Sequence, residues 1–145
     1  EPAGWRPHIW TALRYESGAQ MQHLKTFMLS EGARYQDLRL ASTDLSPRSI
    51  PEALADGLDG WSFLMRTAQS DFALAYFENK ALRPTIKGFQ PGKQYAWTWF
   101  DPRSGAWSEP IALKAGNDGA LLAPSFPNGG AQSAEDIAAK IILAQ

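Results

Sequence analysis

Few residues in this chain have the types and spacing that chemistry demands. There are two histidines, His8 and His23, and no cysteine. His8 lies in an irregular opening arm and His23 on a predicted helix. No H-x-x-x-H pair or dense carboxylate cluster accompanies them, so the pattern assigns no metal site. Without cysteine there is no thiol nucleophile, disulfide or thiolate-held zinc. No G-x-S-x-G elbow and no glycine-rich phosphate loop is present. Gly57-Leu58-Asp59-Gly60 is only a turn signal. Four carboxylates, Asp71, Glu78, Asp101 and Glu109, are the candidates for an acid/base pair of the kind that cleaves a glycosidic bond. Each also has a structural reading: Asp71 opens a strand, Glu78 ends one, Asp101 heads a turn and Glu109 precedes Pro110. The sequence therefore assigns no catalytic residue, cofactor or metal.

The most distinctive short segment is Asp101-Pro102-Arg103-Ser104-Gly105. An Asp at the head of a turn accepts backbone N–H groups. Pro102 presets φ, and Gly105 supplies a left-handed residue at the end. Asp101, Pro102 and Gly105 are thus expected to build a turn. Arg103 is left to meet a neighbouring domain or an acidic ligand. The six tryptophans raise a second possibility, because exposed aromatic faces stack on sugar rings. Trp97 and Trp99 are read mainly as core, with interdomain contact and a ligand platform as alternatives. Trp107, beside the turn, is expected to be the most exposed of the three.

Composition limits the partners. At 145 residues and a net charge of −1, the chain fits one domain and has no basic cluster to follow a phosphate backbone, which argues against nucleic acid. No basic amphipathic stretch and no apolar run of membrane-spanning length points to a membrane. There is no initiator Met or signal peptide at Glu1, which is consistent with processing or with a cut inside a longer product.

These residues must be positioned by two kinds of element. Residues 1–16 read as an irregular arm whose Trp5, Ile9, Trp10 and Leu13 need burial. Ser17 as N-cap, Gln20 three residues on, and the stripe Met21/Leu24/Phe27/Met28 predict a helix over about 17–31, closed by Gly32. Residues 32–60 read as a surface-hugging connection, with one helical turn at Glu52–Ala55. From Trp61 the pattern changes to strands: 61–67, 72–77, a weaker 81–87 placed at an edge by Pro84, 95–100, 111–114, 121–123 and 137–143. The expected architecture is mainly β, an antiparallel sandwich over 61–145 preceded by one N-terminal helix within 1–60.

Three stretches carry a family likeness: Trp10-Thr11-Ala12-Leu13 with Ser17-Gly18-Ala19-Gln20-Met21, Phe72–Phe77, and Trp99-Phe100-Asp101-Pro102-Arg103-Ser104-Gly105. Together they resemble the C-terminal region of bacterial glycoside hydrolases in which a TIM-barrel catalytic domain is followed by a β-sandwich labelled collagen-binding. Asp136-Ile137 departs from the Asp-Trp common there before the last strand. The resemblance implies a non-catalytic accessory domain that packs on and stabilises a carbohydrate-active barrel. Residues 1–60 would then be in part a remnant of that barrel, and an extracytoplasmic location is favoured. Trp5, Trp10, Arg103 and Trp107 become candidate interface or ligand residues. The alternative is an autonomous module that binds carbohydrate or another extracellular polymer. Nothing in the residues themselves supports collagen recognition.

Overall fold

The computed structural model describes residues 16–56 and 59–145. Trp5, Trp10 and the rest of the opening arm, His8 included, lie outside the described residues.

Two antiparallel sheets, one longer helix packed on the larger sheet and a few short helical segments make up the described chain. The larger sheet has six strands in the order β1 (Arg39–Leu40), β3 (Ser62–Arg66), β4 (Phe72–Phe77), β9 (Ile137–Leu143), β6 (Gln94–Phe100) and β7 (Ile111–Lys114). The smaller has β2 (Leu45–Ser46), β5 (Thr85–Ile86) and β8 (Leu121–Leu122). The expected antiparallel β-sandwich is what forms.

Strand periodicity explains how the large sheet buries both faces. Successive side chains alternate sides, so β4 sends Ala73, Ala75 and Phe77 to one face and Phe72, Leu74 and Tyr76 to the other. The first face meets the small sheet. Its core contains Tyr95, Trp97 and Trp99 from β6, Ile137, Ala139 and Ile141 from β9, Leu64, and the small sheet's Leu45, Ile86 and Leu121. Phe126 stacks into the same core beside Phe77 and Trp99. The second face meets helix α1 (Glu16–Met28) through Phe27, which packs on Phe100 and Trp107 at ring separations of 5.2 and 5.9 Å. The layers are therefore helix, large sheet and small sheet. That is why β4 reads as an unbroken apolar run rather than an alternating one.

Several expectations change. The helix already runs at Glu16, so Ser17 stands inside it rather than capping it. It ends at Met28, and bonds from Leu29 N to Lys25 O and from Gly32 N to Leu29 O close it, with Gly32 at φ +61°. Only the second half of its apolar stripe packs: Phe27 is buried, while Met21 and Leu24 remain 64% and 50% exposed. The stretch expected as a mere connection supplies β1 and β2. Their two-residue length left no periodicity to read, and the short helix α2 (Pro51–Asp56) follows them. The strand after Pro84 lies at the centre of the small sheet, not at an edge. It begins at Thr85, so the missing N–H of Pro84 costs no ladder bond, while its carbonyl accepts from Ala123 N.

Candidate functional site

The Asp101 segment leaves β6 at the end of the sheet nearest the helix. The Asp101 carboxylate accepts the Arg103 N–H at 2.9 Å and the Arg103 Nε–H at 3.0 Å, and Gly105 N donates back to the Asp101 carbonyl at 2.8 Å. Burial opposes ionisation of Asp101, but the Arg103 side chain and N–H outweigh it and hold the carboxyl below the ordinary carboxylate range. Gly105 sits at φ +73°, where a Cβ would come within 2.8 Å of the His23 ring. His23 Nδ1 in turn lies 3.1 Å from the Pro102 carbonyl. The turn is thus seated on helix α1. Arg103 also pairs with Glu135, so its guanidinium bridges two carboxylates at the surface.

Beside the turn lies a feature with no local sequence signal. The Tyr76 hydroxyl donates to Asp136 at 2.6 Å, and Asn79 N donates to the same carboxylate at 2.8 Å. Burial first, and then the hydrogen-bonded Asp136 carboxylate, push the Tyr76 hydroxyl above the usual phenol range. The two residues are 60 positions apart, and only β4–β9 pairing brings them together. The one available hint was a tyrosine within an apolar strand, whose hydroxyl must find a partner.

The four candidate carboxylates have structural partners or open surroundings. Asp71 accepts Thr67 Oγ1 at 2.5 Å and pairs with Arg34 at 2.8 Å, and that guanidinium also lies over the Phe72 ring. Glu78 accepts Trp61 N at 3.1 Å. Glu109 is exposed in a loop. Asp71 and Glu78 flank the full length of β4, roughly 23 Å apart at strand rise, far beyond the roughly 5–9.5 Å of glycosidase pairs. Glu78 and Asp101 leave β4 and β6 at the same end, about 10 Å apart at two strand spacings. Glu78 is turned to the Trp61 N–H before the neighbouring strand β3, and Asp101 to the Arg103 N–H of its own turn. Among the described residues no group of three His, Cys, Asp or Glu is placed to hold a metal, and no helix is long and apolar enough to cross a membrane.

The tryptophans divide as their strand positions require. Trp97 and Trp99 are 0% and 4% exposed, in T-shaped contact at 5.0 Å, inside the sandwich core. Trp107 is half-buried. Phe27 and Phe100 pack on its ring, and the Lys140 ammonium lies 4.9 Å from its centroid while pairing with Glu31 at 2.8 Å. Trp107 therefore joins the helix to the sheet, with part of its edge left to solvent. Among the described residues these side chains make packing and hydrogen-bonding contacts within the fold.

No family model matches the chain, and no curated protein matches it in sequence. Solved structures do. One described as a glycoside hydrolase aligns with 96% of this chain and 28% of its own, at a TM-score of 0.65 and 14% identity. A glycoside hydrolase family 5 protein from Bacteroides vulgatus aligns with 94% of this chain and 26% of its own, at a TM-score of 0.64 and 14% identity. The class defined is a helix-backed antiparallel β-sandwich. This chain shares that fold with about a quarter of the length of these glycoside hydrolases.

Proposed function

We propose that the chain is a non-catalytic accessory β-sandwich of a glycoside hydrolase, which packs on and stabilises a carbohydrate-active catalytic portion. The observation that carries this reading is the asymmetry of the fold match: almost all of this chain aligns, against 28% and 26% of the two hydrolases. The partner is then the catalytic domain of a parent protein, a TIM barrel by the resemblance noted from the sequence, which also favours an extracytoplasmic setting. Residues 1–60 serve in part as the joining segment while lending edge strands β1 and β2 to the two sheets, and 61–145 form most of the sandwich. Of the candidate interface residues, Arg103 and the free edge of Trp107 are available on the surface for such contacts, and Trp5 and Trp10 precede the helix in sequence.

The role of the carboxylates supports the same reading, since Asp71, Glu78 and Asp101 hold local structure. An autonomous saccharide-binding module is less well supported. Its platform would need exposed rings, and Trp97 and Trp99 are buried.

The test is thermal melting of a longer protein carrying this chain, with and without residues 61–145. The accessory reading expects a lower Tm in the truncated form before any loss of catalytic residues. An unchanged Tm would contradict it and favour the independent module.

A further inference from the structure

The chain has three asparagines, Asn79, Asn117 and Asn128, and only Asn128 is followed by glycine. It stands in Phe126-Pro127-Asn128-Gly129-Gly130, on the loop between β8 and β9, and Asn128 and Gly129 are both exposed. Hydrogen bonds close this loop. Gly129 N donates to the Phe126 carbonyl at 2.7 Å, and Phe126 N donates to the Gly130 carbonyl at 3.1 Å. The Asn128 carboxamide works in both directions: Oδ1 accepts Gly130 N at 3.0 Å, and Nδ2 donates to the Gln132 carbonyl at 3.1 Å. Beyond it, residues 131–133 form a strap along 80–83. Arg83 N donates to the Ala131 carbonyl, Lys80 N to the Ser133 carbonyl and Ser133 N to the Ala81 carbonyl. The carboxamide therefore links the strap to a turn whose Phe126 ring packs in the core against Phe77 and Trp99.

We propose that Asn128 is a site of spontaneous deamidation, with water as the co-reactant, and that the modification loosens the strap. The Gly129 nitrogen attacks Cγ of Asn128. An N–Cγ bond forms, closing a five-membered imide. The Cγ–Nδ2 bond breaks, and Nδ2 leaves as ammonia with the proton of the Gly129 amide. Water then opens the imide. Attack at Cγ gives aspartate; attack at the backbone carbonyl carbon gives isoaspartate, whose main chain runs through Cβ and Cγ. The position favours this chemistry. Glycine puts no Cβ beside the attacking nitrogen, and nothing lies within 4 Å of where a Gly129 Cβ would stand. The Gly129 N bond to Phe126 must open first, but it belongs to an exposed turn, so a local opening suffices. The other asparagines precede Lys80 and Asp118, whose side chains crowd the attacking nitrogen. Asp118, which could close the same imide on Gly119, is held in place. Gly119 is buried, its N donates to the Gly116 carbonyl at 3.0 Å, and its carbonyl accepts Phe89 N at 3.1 Å. At Asn128 the product carboxylate has no N–H for the Gln132 carbonyl, so a hydrogen bond becomes a repulsion between oxygens. It also adds charge to a cleft of about 70 Å³ that Arg103, Glu135 and Asp136 line with Asn128. The inference does not rest on the accessory role and survives its failure.

The test holds the full 145-residue chain in mildly alkaline buffer and follows ammonia release alongside peptide maps. Most of the conversion should fall on Asn128, with isoaspartate as the major product, read by labelling with an isoaspartate methyltransferase. Asn128→Gln keeps a carboxamide but needs a larger ring to cyclise, so most of the ammonia release should vanish. Conversion that prefers Asn79 or Asn117, or ammonia release unchanged in Asn128→Gln, would overturn the proposal. Aspartate without isoaspartate would overturn the imide route. Asn128→Asp supplies one product directly and isolates its consequence, with the amide spectra of β4, β6 and β9 showing that the fold is kept. Hydrogen exchange should rise at the Lys80, Arg83 and Ser133 amides while β4 and β9 stay protected. Protection of those three amides equal to that of the wild type would overturn the loosening.

Discussion

The His23 imidazole donates from Nδ1 to the carbonyl of Pro102 at 3.1 Å, a bond between residues 79 positions apart that ties the turn after β6 to helix α1. A carbonyl oxygen can only accept, so Nδ1 carries the hydrogen. The same ring lies against Gly105. Gly105→Ala should therefore destabilise the fold twice, through its positive φ and through contact with His23, by about 1–3 kcal/mol in all. Chemical denaturation of Gly105→Ala, His23→Ala and the double variant forms a cycle. The double variant should lose less than the sum of the singles, because removing the ring relieves the contact. Strict additivity would show that the two residues do not meet.

Asp101 gives a pH prediction. Its carboxyl sits below the ordinary range, held there by Arg103 against the opposing effect of burial. A depressed carboxylate contributes stability that is fully present above the unfolded pKa of about 3.9 and is lost as pH falls through the lower folded value. Asp101→Asn keeps an oxygen for the Arg103 N–H but cannot titrate. Its stability should fall less steeply below about pH 4 than that of the wild type, while Asp101→Ala should cost about 1 kcal/mol at neutral pH. Parallel acid unfolding curves for wild type and Asp101→Asn would contradict this assignment.

Much of this fold was legible in the sequence because its longest elements carry strong periods. Strands β4 and β6 are uninterrupted or alternating apolar runs, and Tyr95, Trp97 and Trp99 share the face their spacing implies. The Asp-Pro-Arg-Ser-Gly turn is local chemistry and could be read locally. What escaped was long-range. The small sheet is made of two-residue strands, too short for any period, and the Tyr76–Asp136 bond depends on register between β4 and β9. The helix stripe was visible, but periodicity says only that a face needs burial, not how much of it a given partner covers. Here Phe27 is covered and Met21 is not.

Phe27 is the main contact of the helix with the sheet, packed on Phe100 and Trp107. Phe27→Ala should cost about 3 kcal/mol, at the low end for buried aromatics because one side of the site opens toward an apolar cleft also lined by Leu24 and Met65. Hydrogen exchange should then rise in Glu16–Met28 well before it rises in β4, β6 or β9. Uniform loss of protection would mean that helix and sandwich unfold as one unit.

Tyr76→Phe removes one of the two donors to Asp136 and leaves Asn79 N. A hydrogen bond to a charged group is worth roughly 1.5–3 kcal/mol, and partial exposure of the site puts the expected loss near about 1.5 kcal/mol. Asp136→Ala should cost more, because it strands both the hydroxyl and the amide. Equal losses from the two substitutions, measured by urea unfolding, would show that the Asn79 bond contributes nothing.

On the proposed reading, this chain serves a glycoside hydrolase without itself cleaving sugars. Hydrolysis of a panel of aryl glycosides by the purified 145-residue chain tests it most directly. The account predicts release of the aryl group no faster than in buffer for every member of the panel, with Asp71→Asn, Glu78→Gln and Asp101→Asn leaving that background unchanged. Turnover by the intact chain that disappears when any of these carboxylates is replaced would contradict it.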